Sequence, residues 1–265
     1  MDPIFPTETS LILIRLLIAH FITDFFLQSN EGIRNKVQYG IRSAYLWKHI
    51  VMITVLSWMA IGSLNSLPQA IFIGFTHLLI DWGKITLAAR TNIRYKNGYQ
   101  LRLFLADQIL HIIMIVMVWL WLINGWEAFG ILSIRLWLNY QLFLGILAYV
   151  FVIRPVSYMV KFLTEKWISD LEHAEVGLKD AGMWIGYLER TLILTFVFLD
   201  QYAAIGLLVT AKSVLRLIDK PEAPRIDVGN KLLFNARKHT EYVLIGTFIS
   251  FTFALSTGLL VKWLL

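Results

Sequence analysis

The chain has 265 residues, of which 57% are hydrophobic and only 16% charged, with no cysteine and a formal net charge of +6. At a mean hydropathy of +0.64 it carries more apolar side chain than one soluble core of that length uses, so lipid is its main solvent. The lack of cysteine excludes disulfides and thiolate metal sites, and the basic balance reflects loops beside anionic lipid rather than a nucleic-acid partner.

A spanning helix needs about twenty mostly apolar residues, and such runs occur at 10–28, 45–64, 69–88 and 101–123. The run at 11–27 lacks a basic leader and a small-residue cleavage site, so it reads as a retained helix. A fifth run covers 138–153 and is expected to end before Pro155, with 128–137 extending it or lying as a short interfacial piece. The mixed-charge stretch 161–180 reads as a surface helix followed by a loop. The run 181–217 is too long for one span and is interrupted at Asp200 and Gln201, which predicts two helices in a tight hairpin. A basic loop with Pro221 and Pro224 leads to a last span at 241–263. The fold class is therefore all-α, a polytopic transmembrane bundle of about seven or eight spans. It divides into a four-span region at 1–127, a fifth span with a surface helix at 128–180, and a three-span region at 181–265.

Lys and Arg follow the odd spans: Arg34, Lys36 and Arg42, then Arg90, Arg94 and Lys96, then Lys212, Arg216, Lys231, Arg237 and Lys238. The links at 65–68 and 124–127 carry none, which predicts cytoplasmic basic loops and non-cytoplasmic termini. The echo between 105–108 and 198–201 is too short to make a repeat.

Ionisable groups within hydrocarbon face a protein interior or a wet cavity, and each is a candidate functional residue. His20, Asp24 and Gln28 recur every fourth residue on one helical stripe. His77, Asp81 and Lys84 repeat the device, as do Asp107, Gln108 and His111, while the second span adds Lys48 and His49. With alternating helix directions, Asp24, His49, Asp81 and Asp107 fall in one layer near the cytoplasmic boundary, and His20, His77 and His111 about one turn deeper. Carboxylate oxygen with imidazole nitrogen suits a divalent transition metal such as zinc, manganese or iron, and facing helices of a bundle build such sites. Interhelical glue made of the same pairs is the plainer reading. Gln28, Gln108 and Gln201 read as hydrogen-bonding support, Lys84 as a counter-charge and Lys48 as snorkelling to the interface. Glu189 and Arg190 point about 100° apart on a helix and are expected to find partners on other helices. His173 and His239 read as solvated.

The residues Ala19-His20, Asp24-Phe25, Leu27-Gln28, His77, Ile80-Asp81, Lys84, Asp107-Gln108 and His111 resemble an uncharacterised family of bacterial multi-pass inner-membrane proteins, the domain of unknown function 3307. Gly182-Met183-Trp184-Ile185-Gly186, Leu188-Glu189-Arg190, Ala211-Lys212-Ser213 with Arg216, and Glu241-Tyr242-Val243-Leu244-Ile245-Gly246-Thr247 resemble its longer members. The first half is also distantly similar to membrane-bound proteins labelled metal-dependent hydrolases. That likeness implies metal at His20, Asp24, His77, Asp81, Asp107 and His111.

Three functions use this pattern. The first is metal-assisted hydrolysis of a lipid-borne ester or phosphoester, with Asp24 or Asp81 as catalytic base. The second is a transporter or channel relaying protons or ions through the same groups. The third is a scaffold or sensor whose partners are membrane lipids, another protein or a second copy of the chain. No phosphate-binding glycine loop, Gly-x-Ser-x-Gly elbow or His-Glu-x-x-His is present.

Overall fold

The computed structural model describes residues 4–90, 99–168, 180–218 and 231–265. Arg94, Lys96, His173, Pro221 and Pro224 lie outside the described residues, as do the side chains of Arg90, Arg216, Lys231, Arg237, Lys238 and His239. Ten α-helices and no strand occur among the described residues, as continuous apolar runs require when the backbone must satisfy its own hydrogen bonds in lipid. Six stretches are long and apolar enough to cross a membrane: Thr7–Phe26, Ala44–Ile61, Leu64–Leu87, Tyr99–Leu122, Tyr140–Lys166 and Glu241–Leu264. The run at 181–217 is indeed two helices, but one carries Glu189 and Arg190 and the other is apolar only over Tyr202–Val214.

The chain forms two compact units, Met1–Trp137 and Leu138–Leu265. In the first, α1 (Thr7–Phe21) passes into a π-helical turn (Ile22–Phe26), followed by α2 (Asn30–Tyr39), α3 (Ala44–Ile61), α4 (Leu67–Arg90), α5 (Tyr99–Leu122) and α6 (Trp126–Trp137). Helices α1, α3, α4 and α5 close a ring in that order, each packing on the next and α5 on α1. Their outward faces are apolar, with Val51, Met59, Phe75 and Ile109 all exposed, while the imidazoles and carboxylates point inward. That is the distribution lipid selects, because the ring interior is the only place its polar groups find partners.

Local signals set the ends of these helices. The Ser29 hydroxyl oxygen accepts from the Gly32 N–H at 3.1 Å to start α2, and Gly40 ends it at φ +56°. Ser43 does the same for α3, accepting from Leu46 N–H at 3.2 Å, and Gly62 at φ +76° ends it. One end of the ring is filled by Leu16, Ile53, Ile73, Ile115, Val118, Trp119 and Leu120. The stretch 128–137 belongs to α6, a helix of its own behind a turn at Asn124.

The second unit holds α7 (Tyr140–Ile168), α8 (Ala181–Phe198), α9 (Tyr202–Ile218) and α10 (Lys231–Leu264). Helices α7, α8 and α10 pack on one another and α9 lies against α8. Pro155 does not end the fifth run: α7 continues through it and takes in residues 161–168. A proline in mid-helix removes a donor and crowds the preceding turn, and a neighbouring helix braces two carbonyls of that turn. Arg190 of α8 donates from Nε to the Val152 carbonyl at 2.5 Å and from a terminal nitrogen to the Ile153 carbonyl at 3.1 Å. It also reaches Ser157 Oγ at 2.5 Å and Ser250 Oγ at 2.9 Å. Glu189 takes Lys212 of α9 at 2.5 Å. Asp200 turns the α8–α9 hairpin at φ +58°, a region an Asp tolerates, and pairs with Lys262.

Candidate metal centre

Four of the helices carry one imidazole each into the interior, and each imidazole lies one turn from an apolar core residue of its own helix. The pairs are His20 with Leu16, His49 with Ile53, His77 with Ile73, and His111 with Ile115. Spacing of four keeps both members on one face, so a polar layer rests directly on an apolar one. All four histidines are buried, His20 completely.

Asp24 is aimed by the π-helical turn. The wider turn closes with Leu27 N–H donating to the Ile22 carbonyl at 3.0 Å, and Thr23 donates its hydroxyl to the Ala19 carbonyl at 2.6 Å. Such turns recur at functional sites because they re-aim one side chain without breaking the helix. Asp24 Oδ1 lies 3.4 Å from His49 Nε2, 3.4 Å from His77 Nε2 and 3.8 Å from His20 Nδ1. His49 Nε2 and His77 Nε2 are 2.9 Å apart. The two tiers expected from the sequence therefore interlock, with Asp24 among three imidazoles.

Asp81 stands beside this triangle. Its Oδ2 accepts from Lys36 Nζ at 3.0 Å and lies 3.9 Å from His49 Nε2, while Oδ1 faces His111 Nε2 at 4.0 Å. Asp107 Oδ2 accepts from Lys84 Nζ at 2.7 Å. The amide nitrogen of Gln28 approaches the His49 ring, 3.2 Å from Nδ1 and 3.1 Å from Nε2, although residue 28 lies beyond the helical turn that ends at Phe26.

Neighbours fix the tautomers. Gln108 donates its amide nitrogen to Asp24 Oδ2 at 3.3 Å and to Asp107 Oδ2 at 3.2 Å. A carboxylate only accepts, so the amide oxygen must be the atom at 3.3 Å from His20 Nε2. His20 Nε2 then carries its proton, and Nδ1 is left bare. His111 Nδ1 lies 2.8 Å from the Asp107 carbonyl oxygen and donates to it, which leaves Nε2 bare. Holding one imidazole nitrogen so that the other is a free lone pair is how ligating histidines are oriented.

Those lone pairs have no hydrogen-bond partner. Of five buried side-chain atoms without one among the described residues, four belong to this cluster: His20 Nδ1, Asp24 Oδ1, Asp107 Oδ1 and His111 Nε2. Buried polar atoms are normally paired, and glue between helices would pair them. Three overlapping sets each bring three ligand atoms within 4.8 Å of one another: His20, Asp24 and His77; His49, His77 and Asp81; Asp81, Asp107 and His111. The structure thus gathers all six residues expected to ligate metal, together with His49, Gln28, Lys84 and Gln108. Glu189 and Arg190 belong to the second unit, where they make the contacts described above. Gln201 lies at the exposed hairpin, donating to the Leu199 carbonyl, and Lys48 is exposed, as snorkelling requires.

Lys36 is the residue the sequence misplaces. Counted as a loop charge, it is buried against Asp81 because the loop is helical and packs on α3 and α4. The bracket of Ser29 and Gly40 was the signal, a helix start and stop with ten residues between them.

Residues 12–137 match the family described as "Protein of unknown function (DUF3307)". The match ends where the first compact unit ends and takes in every residue of the cluster. No curated protein and no solved structure matches the chain.

Proposed function

We propose that the first unit is an intramembrane metal centre that hydrolyses a lipid-borne ester or phosphoester, in a bacterial inner membrane with the basic loops cytoplasmic and both termini outside. The observation that carries the metal is the triangle of Asp24 Oδ1, His49 Nε2 and His77 Nε2, with edges of 3.4, 3.4 and 2.9 Å. Ligands about 2.0–2.1 Å from a tetrahedral zinc ion stand about 3.3 Å apart, so each edge is within about half an ångström of the required length. The bare His20 Nδ1, 3.8 Å from Asp24 Oδ1, adds a further donor on the same side.

An ion held there by Asp24, His49 and His77 would supply Lewis acidity and make water more acidic. Asp81 stands beside the triangle, and its Oδ2, which faces His49 and Lys36, would accept the proton of the attacking water. A hydrolytic reading is favoured over passage of an ion by what lies next to the imidazoles. The apolar layer of Leu16, Ile53, Ile73 and Ile115 is buried, and the cavity between it and His77 and His111 is about 10 Å³, room for about one water. A site closed on one side by packed apolar residues suits a reaction more than a relay.

Metal content by mass spectrometry on detergent-purified protein, beside an Asp24→Ala/His77→Ala variant, tests the centre. Zinc, manganese or iron bound near stoichiometry and lost in the variant is expected. No metal in either protein would overturn it. A loaded protein that hydrolyses neither ester nor phosphoester lipids in a headgroup screen would leave the centre and remove the hydrolase.

A further inference from the structure

We infer that the cluster holds a second divalent cation, bound by Asp81 Oδ1, His111 Nε2 and the Asp107 carboxylate, in the place Lys84 now fills by charge. The inference rests on the metal centre proposed above and deepens it. Each of these three residues offers one ligand atom within 4.8 Å of the others, and all three are buried; Asp107 Oδ1 lies 3.9 Å from the Nδ1 side of the His111 ring, and Oδ2 is the oxygen Lys84 holds. Two of the atoms, His111 Nε2 and Asp107 Oδ1, are unpartnered, and His111 is 2% exposed with its Nε2 facing Asp81 Oδ1 at 4.0 Å.

The two oxygens of Asp81 face different imidazoles. Oδ2 looks to His49 and Lys36, and Oδ1 to His111. The carboxylate therefore stands between two sets of donors that use different atoms, and filling one leaves the other intact. The first set is Asp24, His49 and His77; the second needs no atom from it.

Charge decides which lysine yields. Lys36 is buried, whereas the Lys84 side chain is 37% exposed, with its ammonium on Asp107 Oδ2 at 2.7 Å. A long flexible stem at that exposure carries its charge out to water, and the second cation replaces one positive charge with two. Two ions of this kind act together on an anionic oxygen, one on the attacking side and one on the leaving side. The second site therefore favours an anionic ester, a phosphoester being the simplest, because two cations offset its charge.

Mn2+ binding to the detergent-purified full chain tests this, with free Mn2+ counted by electron paramagnetic resonance at equilibrium. Wild type is expected to bind close to two ions per chain, and His111→Ala and Asp107→Asn close to one. Lys84→Met is expected to bind the second ion about tenfold tighter, since it removes a charged competitor for Asp107. One ion in wild type overturns the second site and leaves the first. Two ions in both wild type and His111→Ala overturn the ligand assignment, and none in wild type removes both centres. The Lys84→Met result does not depend on a variant that weakens the site.

Discussion

Gly74 is where the geometry of the centre is most exposed to a single methyl group. A Cβ at this position would lie 2.0 Å from Thr54 Oγ1 and 3.3 Å from Thr54 Cβ, so α3 and α4 touch here through backbone and hydroxyl. Small residues permit such approach between membrane helices. In Gly74→Ala either Thr54 rotates and gives up its 2.8 Å hydrogen bond to the Ile50 carbonyl, or α4 withdraws locally by about 1 Å. Overpacking of this kind costs about 1–3 kcal/mol. His77 is one turn further along α4 and His49 about one turn before Thr54 on α3, so withdrawal widens the 2.9 Å pair of Nε2 atoms. Metal–ligand distances tolerate only about 0.2 Å, and a fall in metal affinity of about 10–100-fold is expected, the range for a disturbed supporting shell. Thr54→Ala removes the obstructing oxygen. The double variant should recover most of the stability and affinity, with a coupling of about 0.5–3 kcal/mol between the sites. The assay is denaturing-detergent unfolding with chelator competition for metal on all four proteins. Gly74→Ala behaving as wild type in both readouts, or a double variant no better than Gly74→Ala, would refute the reasoning.

Two further outcomes follow from contacts already described. Gln108→Leu removes the amide that fixes His20 and spans Asp24 and Asp107; metal affinity by chelator competition should drop about 10–100-fold, and an unchanged value would show that the His20 tautomer is set elsewhere. Arg190→Met withdraws four hydrogen bonds, two of them from carbonyls of the turn before Pro155, and should destabilise the second unit by about 3 kcal/mol. Pro155→Ala should reduce that cost by at least about 0.5 kcal/mol in detergent unfolding, and strictly additive losses would separate Arg190 from the proline.

How much of this was legible in the sequence depended on what each signal measures. Helical spacing placed His20 with Asp24, His77 with Asp81 and Asp107 with His111, because a stripe is a local property and a bilayer fixes which way it faces. It could not say that Asp24 would sit within a π-helical turn, since the extra residue per turn leaves no mark in a run of Thr, Asp and Phe. Pro155 reads as a stop because the side chain that braces the turn before it, Arg190, is 35 positions away in the chain. The tautomers of His20 and His111 were out of reach for the same reason: they are set by a glutamine on another helix and by a carbonyl whose direction depends on the helix already being formed. Lys36 was mistaken because a basic residue outside a span counts toward orientation whether or not its helix folds back.

The balance of charge explains why a membrane protein keeps so many titratable groups in one layer. Asp24, Asp81 and Asp107 face Lys36 and Lys84, so with neutral imidazoles the cluster holds three negative charges against two positive. Each ammonium engages one carboxylate, and the carboxylate left without one is Asp24, the residue set among three imidazoles. A buried carboxylate without a counter-ion is costly, and here the groups around it are nitrogen donors, which neutralise it only if protonated or bridged by a cation. Protonating His20 at Nδ1 would give Asp24 a charge partner, but it would leave the His49 and His77 Nε2 pair sharing one proton between them. One divalent cation at the triangle would serve all three at once, and with the Lys84 ammonium swung out to water the cluster would then stand at zero net charge when a second cation meets Asp107.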